Sequence, residues 1–220
     1  MTIRVVLADD HRIMREGLAS LLEREPDIQT VGQAADGAEA VRLTLSLSPD
    51  LVITDVSMPK LNGIEAIRRI LAKAPQTKAM CLSVHDDPER VAAVIDAGAR
   101  GYLLKDCAFE QLVQAVRVVM EDKFYLSPEI ASVVVAGFRG KRAPAQASAF
   151  SRLTTREREV VQLVAEGHPT REIARRLNVS LKTVGAHREH VMTKLQIHSI
   201  AELTRYAIRE GITSLEAHTG

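Results

Sequence analysis

The stretch Ile3-Arg4-Val5-Val6-Leu7-Ala8-Asp9-Asp10 decides the fold of the first half of this chain. A short apolar run that is followed by a helical pattern predicts a strand of a parallel sheet buried on both faces. The pattern recurs along the chain, and we predict strands at Ile3–Ala8, Thr30–Ala34, Leu51–Thr54, Ala79–Ser83 and Gly101–Leu104. We predict helices at about His11–Glu25, Gly37–Leu47, Gly63–Ala74, Pro88–Ala97 and Phe109–Glu121. This alternation favours a flavodoxin-like, doubly wound, five-stranded parallel sheet of order 2-1-3-4-5.

Charged residues follow three of these strands directly. Asp9 and Asp10 follow the first strand, Asp55 the third and Lys105 the fifth. Functional groups of such sheets gather beyond the carboxyl ends of the strands, so we expect these four side chains to meet. Crowded carboxylates repel one another, a divalent cation relieves that repulsion, and a carboxylate can accept a phosphoryl group. A single aspartate after a strand is more often a turn residue, but the combination predicts a Mg²⁺-dependent phosphoryl-transfer site.

Several further motifs accompany these charges in the same order along the chain. They are Leu7-Ala8-Asp9-Asp10-His11, Thr54-Asp55-Val56-Ser57-Met58-Pro59 with Gly63, Leu82-Ser83, and Gly101-Tyr102-Leu103-Leu104-Lys105. With these motifs the first half resembles the receiver domain of two-component response regulators. The resemblance implies that a sensor histidine kinase phosphorylates Asp55, with at most self-dephosphorylation as an activity of the protein itself. It also implies a site residue set: Asp9, Asp10, Asp55 and the Ser57 carbonyl for Mg²⁺, Lys105 for the phosphoryl group, and Ser83 and Tyr102 as switch residues.

Composition and charge narrow the class of protein. Hydrophobic residues make up 46% of the chain and charged residues 26%, which is typical of an ordinary globular protein. No apolar run is long enough to span a membrane, and the amino terminus has the pattern of a strand rather than of a signal peptide. Cys81 and Cys107 do not have the spacing of a metal or redox site. We therefore expect a cytoplasmic protein without a membrane contact.

The two halves of the chain differ in charge. Residues 1–125 carry 15 Lys and Arg against 19 Asp and Glu, whereas residues 151–212 carry 11 against 7. The basic second half is therefore the part that we expect to meet a polyanion.

The chain divides into two predicted domains and a connection. Residues 1–125 form the predicted receiver domain and residues 153–220 a helical domain. Residues 126–152 connect them, with a short helix from Pro128 to about Val135 and a flexible linker over Gly137–Ser151, which is rich in Gly, Ala and Ser.

The second half carries four helical patterns with clear start signals. Capping boxes at Thr154–Glu157 and Ser199–Glu202 open the first and fourth helices, which extend to Glu166 and to about Glu210. Thr170–Leu177 and a helix from Ser180 to about Leu195 form a helix-turn-helix, whose second helix is the recognition helix. Val184, His187, Val191 and Leu195 recur at helical spacing, so we place them on its inner face, with His187 as a core histidine.

The outer face of the recognition helix offers candidate DNA contacts. These are Lys182, Thr183, Gly185, Arg188 and Lys194, where Arg188 is predicted to read a base or groove edge and the two lysines to contact phosphates. A solvated charged face is the plain alternative. Residues 153–212 resemble the LuxR-type output domain, with matches at Arg156-Glu157-Arg158-Glu159-Val160, Glu172-Ile173-Ala174 and Thr183-Val184.

Together the two halves resemble the NarL/FixJ class of response regulators. The resemblance implies a transcription factor that binds double-stranded DNA as a homodimer and contacts RNA polymerase. The fourth output helix is the predicted dimer contact, through a stripe of Ile200, Leu203, Tyr206 and Ala207. Core packing is the alternative reading of that stripe.

Other functions fit the sequence less well. A Mg²⁺-dependent phosphatase of the haloacid dehalogenase type needs a second aspartate two residues after its nucleophile, and Ser57 stands there. A LuxR-type regulator that senses a small ligand needs an aromatic-rich pocket, and only 3% of the residues are aromatic. A receiver domain that serves only in interactions usually lacks the acidic ligands, which are all present here.

Overall fold

The computed structural model describes residues 2–107, 109–140, 153–210 and 212–213. The chain divides into two compact units, Met1–Arg142 and Ala143–Gly220. None of the helices in the described ranges has both the length and the apolar character needed to cross a membrane.

The first unit is built on one parallel sheet. Its strands are β1 (Ile3–Ala8), β2 (Ile28–Ala34), β3 (Leu51–Thr54), β4 (Lys78–Ser83), β5 (Gly101–Leu104) and β6 (Tyr125–Leu126). The sheet order is β2-β1-β3-β4-β5-β6, which confirms the predicted order of the first five strands and adds a sixth at the edge. The central strands β1 and β3 are almost wholly apolar and buried, as expected of a parallel sheet that is covered on both faces.

Helices cover both faces of this sheet. They are α1 (Arg12–Leu22), α2 (Gly37–Leu47), α3 (Gly63–Lys73), α4 (Pro88–Asp96), α5 (Phe109–Met120) and α6 (Pro128–Gly140). Side chains cap three of them at the first turn: Asp36 accepts from Glu39 N, Asn62 from Glu65 N and Asp87 from Arg90 N. These caps fix the residue at which each of the three helices begins.

The chain after α5 differs from the prediction. β6 pairs with β5 through Gly101↔Tyr125 and Tyr102↔Leu126, although two residues are too few to give a strand pattern in the sequence. α6 continues to Gly140, so residues 137–140 are helical and the flexible linker predicted from Gly137 begins too early. Its remaining residues, 141–151, lie outside the described ranges. Ile130 anchors α6 in the receiver core, where it is fully buried in a cluster that includes Tyr102.

The second unit contains α7 (Thr155–Ala165), α8 (Thr170–Leu177), α9 (Leu181–Leu195) and α10 (Ile200–Arg209). Thr154 forms the predicted capping box with Glu157. At α10, Ser199 accepts from Glu202 N as predicted, and the Glu202 carboxylate also accepts from His198 N at 2.8 Å.

Leu203, Tyr206 and Ala207 of α10 belong to the core of the second unit. The breadth of this stripe therefore reflects core packing, the alternative reading, and it does not support the predicted dimer contact. Ile200, with 51% of its surface exposed, is the member of the stripe that remains available to a partner.

Candidate functional site

The pairing of β1 with β3 brings the first carboxylates together. Ala8 is in register with Thr54, so Asp9 and Asp55 leave the sheet side by side as the next residue of each strand. Asp55 N donates to the Ala8 carbonyl oxygen at 2.8 Å, which fixes the spacing of the two chains beyond the last strand residues. Both carboxylates are buried.

Lys105 joins the two carboxylates from the end of β5. Its Nζ lies 2.8 Å from Asp9 Oδ2 and 2.8 Å from Asp55 Oδ2. Its backbone N donates to the Ser83 carbonyl oxygen at 2.8 Å, which ties the Lys105 backbone to the end of β4. The lysine side chain is only 7% exposed, so these contacts form in a largely desolvated place where charges interact more strongly than in water.

Burial controls the protonation of this cluster. It raises the pKa of Asp55 above its usual value, and the charge of Lys105 offsets that effect only in part while Asp9 adds to it. Burial also disfavours the charged form of Lys105, but its contacts with Asp55 and Asp9 outweigh burial and hold its pKa above the ordinary value. A second positive charge at the cluster would therefore stabilise the ionised form of Asp55.

The acidic residues offer ligands that suit a hard divalent cation. One side-chain ligand atom from each of Asp9, Asp10, His11 and Asp55 lies within 4.8 Å of the others. Asp10 Oδ1 is buried and accepts no hydrogen bond from the described residues, although His11 Nδ1 lies 3.1 Å away. Carboxylate oxygens are the ligands that Mg²⁺ prefers, so the residues fit the predicted ion. Sequence reasoning missed His11 as a member of this group.

His85 connects the other predicted residues of the site. Tyr102 Oη donates to the His85 carbonyl oxygen at 2.7 Å, and His85 N donates to Ser83 Oγ at 3.2 Å. The imidazole Nε2 lies 3.3 Å from Ser57 Oγ. Burial raises the pKa of Tyr102 well above its usual value, so the phenol stays protonated and acts as the donor. The loop after β4 thus joins Ser57, Ser83 and Tyr102, with the Tyr102 ring turned fully inward.

The second unit presents a helix-turn-helix made of α8 and α9. Asn178 ends α8 in the left-handed conformation, and Ser180 caps α9 by accepting from Thr183 N at 3.0 Å. Val184 and Val191 form the buried face of α9. His187 is only half-buried, so the prediction of a core histidine is wrong.

The predicted DNA contacts divide into two groups. Lys182 is exposed, Thr183, Gly185 and Arg188 are half-buried, and a Cβ at Gly185 would meet no atom within 4 Å. Lys194 differs, because its Nζ lies 2.8 and 2.7 Å from the two carboxylate oxygens of Glu157 at the start of α7. The ammonium group of Lys194 is therefore engaged inside its own domain.

Comparisons with known proteins show the family of each unit. Residues 5–117 match the family of response regulator receiver domains, and residues 151–207 match the bacterial regulatory proteins of the luxR family. The chain is a two-component response regulator of the LuxR family. It is a transcription factor with a DNA-binding output domain, as predicted.

Two named proteins resemble this response regulator over nearly its whole length, and a third resembles it over about two thirds. The oxygen regulatory protein NreC of Staphylococcus carnosus is 38% identical over 212 residues, which cover 94% of this chain and 98% of NreC. A solved structure shows RcsB from Salmonella enterica serovar Typhimurium bound to the promoter rprA in the presence of the phosphomimetic BeF3⁻. Its sequence is 28% identical to this chain, and the two structures match with a TM-score of 0.64 over 94% of this chain and 98% of RcsB. A LuxR-family response regulator from Aurantimonas sp. is 35% identical with a TM-score of 0.61, over 64% of this chain and all of the other.

Two basic residues of the output domain escaped the sequence analysis. Arg171 and Arg175 are exposed and lie four residues apart on α8, the first helix of the helix-turn-helix. In such motifs the first helix crosses the DNA backbone, so basic side chains on it suit phosphate contacts. Their i, i+4 spacing is a signal that the sequence itself carries.

Proposed function

We propose that Asp55 is the phosphoacceptor of this response regulator and that a sensor histidine kinase supplies the phosphoryl group. The observation that carries the proposal is the placement of Lys105 Nζ at 2.8 Å from both Asp9 and Asp55. The ammonium group of Lys105 lies between these two carboxylates at the carboxyl edge of the sheet, which supports a role for Asp55 as the nucleophile and for Lys105 as the cation beside it.

The roles of the residues follow from their contacts. A carboxylate oxygen of Asp55 attacks the phosphorus, the bond from phosphorus to the kinase histidine nitrogen breaks, and that nitrogen keeps the electron pair. Val56 N donates to Asp55 Oδ1 at 2.6 Å and orients the carboxylate. Lys105 is held where it can pair with the phosphoryl oxygens, which bring close to two negative charges. Hydrolysis of the acyl phosphate by water would be the only reaction that the protein completes alone.

Mg²⁺ fits the acidic residues of the site. Asp9, Asp10 and Asp55 would hold it, with the Ser57 carbonyl oxygen as the further predicted ligand. When bound, the ion supplies positive charge that offsets the negative charge developing on the transferred group.

The residues around His85 are suited to report phosphorylation. We propose that Ser83 moves toward the phosphoryl group and donates its hydroxyl to a phosphoryl oxygen, and that this movement breaks the hydrogen bond that Ser83 Oγ accepts from His85 N. Because Tyr102 bonds to the carbonyl oxygen of the same residue, that change reaches the buried cluster against which α4 and α6 pack. A local charge would thereby bias the packing of two helices.

The output domain is proposed to bind double-stranded DNA through α9 in the major groove. Lys182, Thr183, Gly185 and Arg188 lie on α9 where they can face the DNA, and Arg171 and Arg175 are proposed to contact phosphates from α8. RcsB is described as binding a promoter, and in another structure as two dimers on two parallel DNAs. By analogy we propose a homodimer on DNA with contact to RNA polymerase, in the cytoplasm, with the exposed Ile200 of α10 in the dimer contact.

The domain roles complete the proposal. Residues 1–125 receive the phosphoryl group, residues 126–152 connect the domains, and residues 153–220 bind DNA. α6 lies within the connecting segment, but it packs on the receiver core and is therefore structurally part of the receiver domain.

Incubation with acetyl phosphate and Mg²⁺, followed by mass spectrometry, tests the phosphoacceptor. We expect one phosphoryl group on Asp55, none on Asp55→Asn, and wild-type labelling of Asp96→Asn. The control is apt because Asp96 ends α4, at the opposite edge of the sheet from the cluster. Labelling of Asp55→Asn at the wild-type level would overturn the assignment.

A further inference from the structure

Arg15 reaches from α1 back to the end of β1. Its Nη1 donates to the carbonyl oxygen of Asp9 at 2.5 Å. The side chain is half-buried, and its Nε is buried with no hydrogen-bond acceptor among the described residues. A buried N–H without an acceptor is unfavourable, so a side chain that retains one must be held by its other contacts.

The hydrogen bond from Arg15 is made to the peptide group between two of the predicted metal ligands. The Asp9 carbonyl belongs to the peptide that joins Asp9 to Asp10, the two carboxylates proposed to hold the metal ion. Orienting that peptide orients both residues at once. A contact at this position therefore acts on the spacing of the two metal ligands rather than on one side chain.

The other polar groups of Asp9 are also fixed. Its N donates to the Ala34 carbonyl oxygen at 3.1 Å, Oδ1 accepts from His11 N at 2.8 Å, and Oδ2 lies 2.8 Å from Lys105 Nζ. These bonds come from β2, from the turn after β1 and from the end of β5. Arg15 adds the bond from α1, so Asp9 is held from four directions.

Little free space remains beside the Arg15 side chain. Arg15 and Leu18 line a cavity of about 10 Å³ together with Asp9, Asp55 and Leu82. A cavity of this size holds at most one water molecule. The Asp9 carbonyl oxygen therefore has little room for water on this side while Arg15 is in place.

We propose that Arg15 is a positioning residue of the phosphoacceptor site, which fixes the Asp9–Asp10 peptide in the geometry that binds Mg²⁺. The inference rests on the proposed function of the acidic cluster. It predicts an effect of defined sign. Arg15 is always charged, and its charge alone would repel the cation, so removing it should tighten Mg²⁺ binding if charge were its whole role. Removing a positioning bond should weaken Mg²⁺ binding instead.

The variant Arg15→Met tests the inference in the full-length protein. Methionine keeps an unbranched stem of good helix propensity and loses the donor. We expect Mg²⁺ affinity, measured by calorimetry with the metal alone, to fall by 10- to 100-fold, the range typical of residues that orient metal ligands. Labelling of Asp55 by acetyl phosphate should fall at low Mg²⁺ and recover when Mg²⁺ is saturating, since the nucleophile and Lys105 are intact.

Arg12→Met is the matched control. Arg12 lies on the same helix and carries the same charge, but its side chain is 79% exposed and pairs with Glu16. We expect its Mg²⁺ affinity to equal that of the wild type. Arg15→Gln, which is too short to reach the Asp9 carbonyl oxygen, should repeat the loss and keeps the test informative if the methionine variant does not fold.

The outcomes separate the inference from the function on which it rests. A wild-type protein that neither binds Mg²⁺ nor is labelled on Asp55 would refute the proposed function itself. A functional wild type with unchanged or tighter Mg²⁺ binding in the folded Arg15 variants would refute only the positioning role. If the labelling of Asp55 in Arg15→Met does not recover at saturating Mg²⁺, Arg15 acts in phosphoryl transfer itself, and that result would also contradict the inference.

Discussion

Gly185 lies inside α9, where glycine is the poorest helix former except proline. An added Cβ at Gly185 would meet no atom within 4 Å, and the same is true of Gly17 inside α1. Both Gly185→Ala and Gly17→Ala should therefore stabilise their helices by about 0.5–1 kcal/mol. If the DNA backbone approaches α9 closely at Gly185, only Gly185→Ala should weaken DNA binding. Urea unfolding and DNA titration of both variants test this, and equal DNA affinity would show that no close approach occurs.

Lys194 offers a second test at the residue scale. Burial opposes the ionisation of Glu157, yet the hydrogen bonds from Lys194 and Thr154 hold the pKa of Glu157 below its ordinary value of 4.5. A lowered pKa in the folded state stabilises the fold above pH 4.5, and that contribution is lost as the pH falls through the lower folded-state value. Lys194→Met should therefore unfold more easily than the wild type at pH 7, and the difference should shrink well below pH 4.5.

Urea unfolding, followed by the NMR signals of α7, measures that difference in the full-length protein. Glu157→Gln serves as the partner control, because adding Lys194→Met to it should have little further effect. The sequence prediction for Lys194 is tested on the same variant. A phosphate contact would lower the salt slope of DNA binding by about one, whereas a lysine that only supports Glu157 would leave the slope unchanged.

The charged residues of the receiver site could be placed from the sequence because they follow strands. Asp9, Asp55 and Lys105 could be placed at one edge once the parallel sheet was recognised. His85 and Arg15 could not, because their roles depend on backbone carbonyl groups whose positions follow from the folded chain. The pairing of Lys194 with Glu157 joins residues of two helices, α9 and α7, and no spacing along the chain reveals it.

At the scale of elements, α6 was predicted as a short helix from Pro128 to about Val135, and the structure extends it to Gly140. Gly137 and Gly140 suggested a flexible segment, whereas the helix that Ile130 anchors beside Tyr102 continues through both glycines. The long periodic elements were predicted well. Their apolar faces repeat over several turns or alternate with buried strands, so the pattern alone identifies them.

A pair of variants on α6 tests how firmly it is anchored. Ile130 is fully buried, whereas Val135 on the same helix is 49% exposed. Ile130→Ala should lower the free energy of unfolding of the receiver domain by about 2–5 kcal/mol. Val135→Ala should change it by about 0.5 kcal/mol or less. Urea unfolding followed by the NMR signals of β4 and β5 checks both, and equal costs would mean that α6 is not part of the receiver core.

At the scale of the whole molecule, we expect phosphorylation of a buried acidic cluster in one domain to control a recognition helix in the other. The predicted division of charge fits this arrangement, since the receiver half is acidic and the output half basic. A single recognition helix makes few base contacts, so a regulator of this kind gains useful affinity from two copies on paired half-sites. Control by phosphorylation then means that a change at Asp55 alters how the output domains engage DNA.

The most direct test is DNA affinity before and after phosphorylation of the full-length protein. A binding site is first selected from random double-stranded DNA with wild-type protein treated with acetyl phosphate and Mg²⁺. The affinity of wild type, Asp55→Asn and Asp96→Asn for that site is then measured at one fixed salt concentration, with and without acetyl phosphate. We expect acetyl phosphate to tighten DNA binding by the wild type and by Asp96→Asn, and to leave the DNA affinity of Asp55→Asn unchanged. An equal gain in affinity for Asp55→Asn would contradict the claim that Asp55 controls this transcription factor.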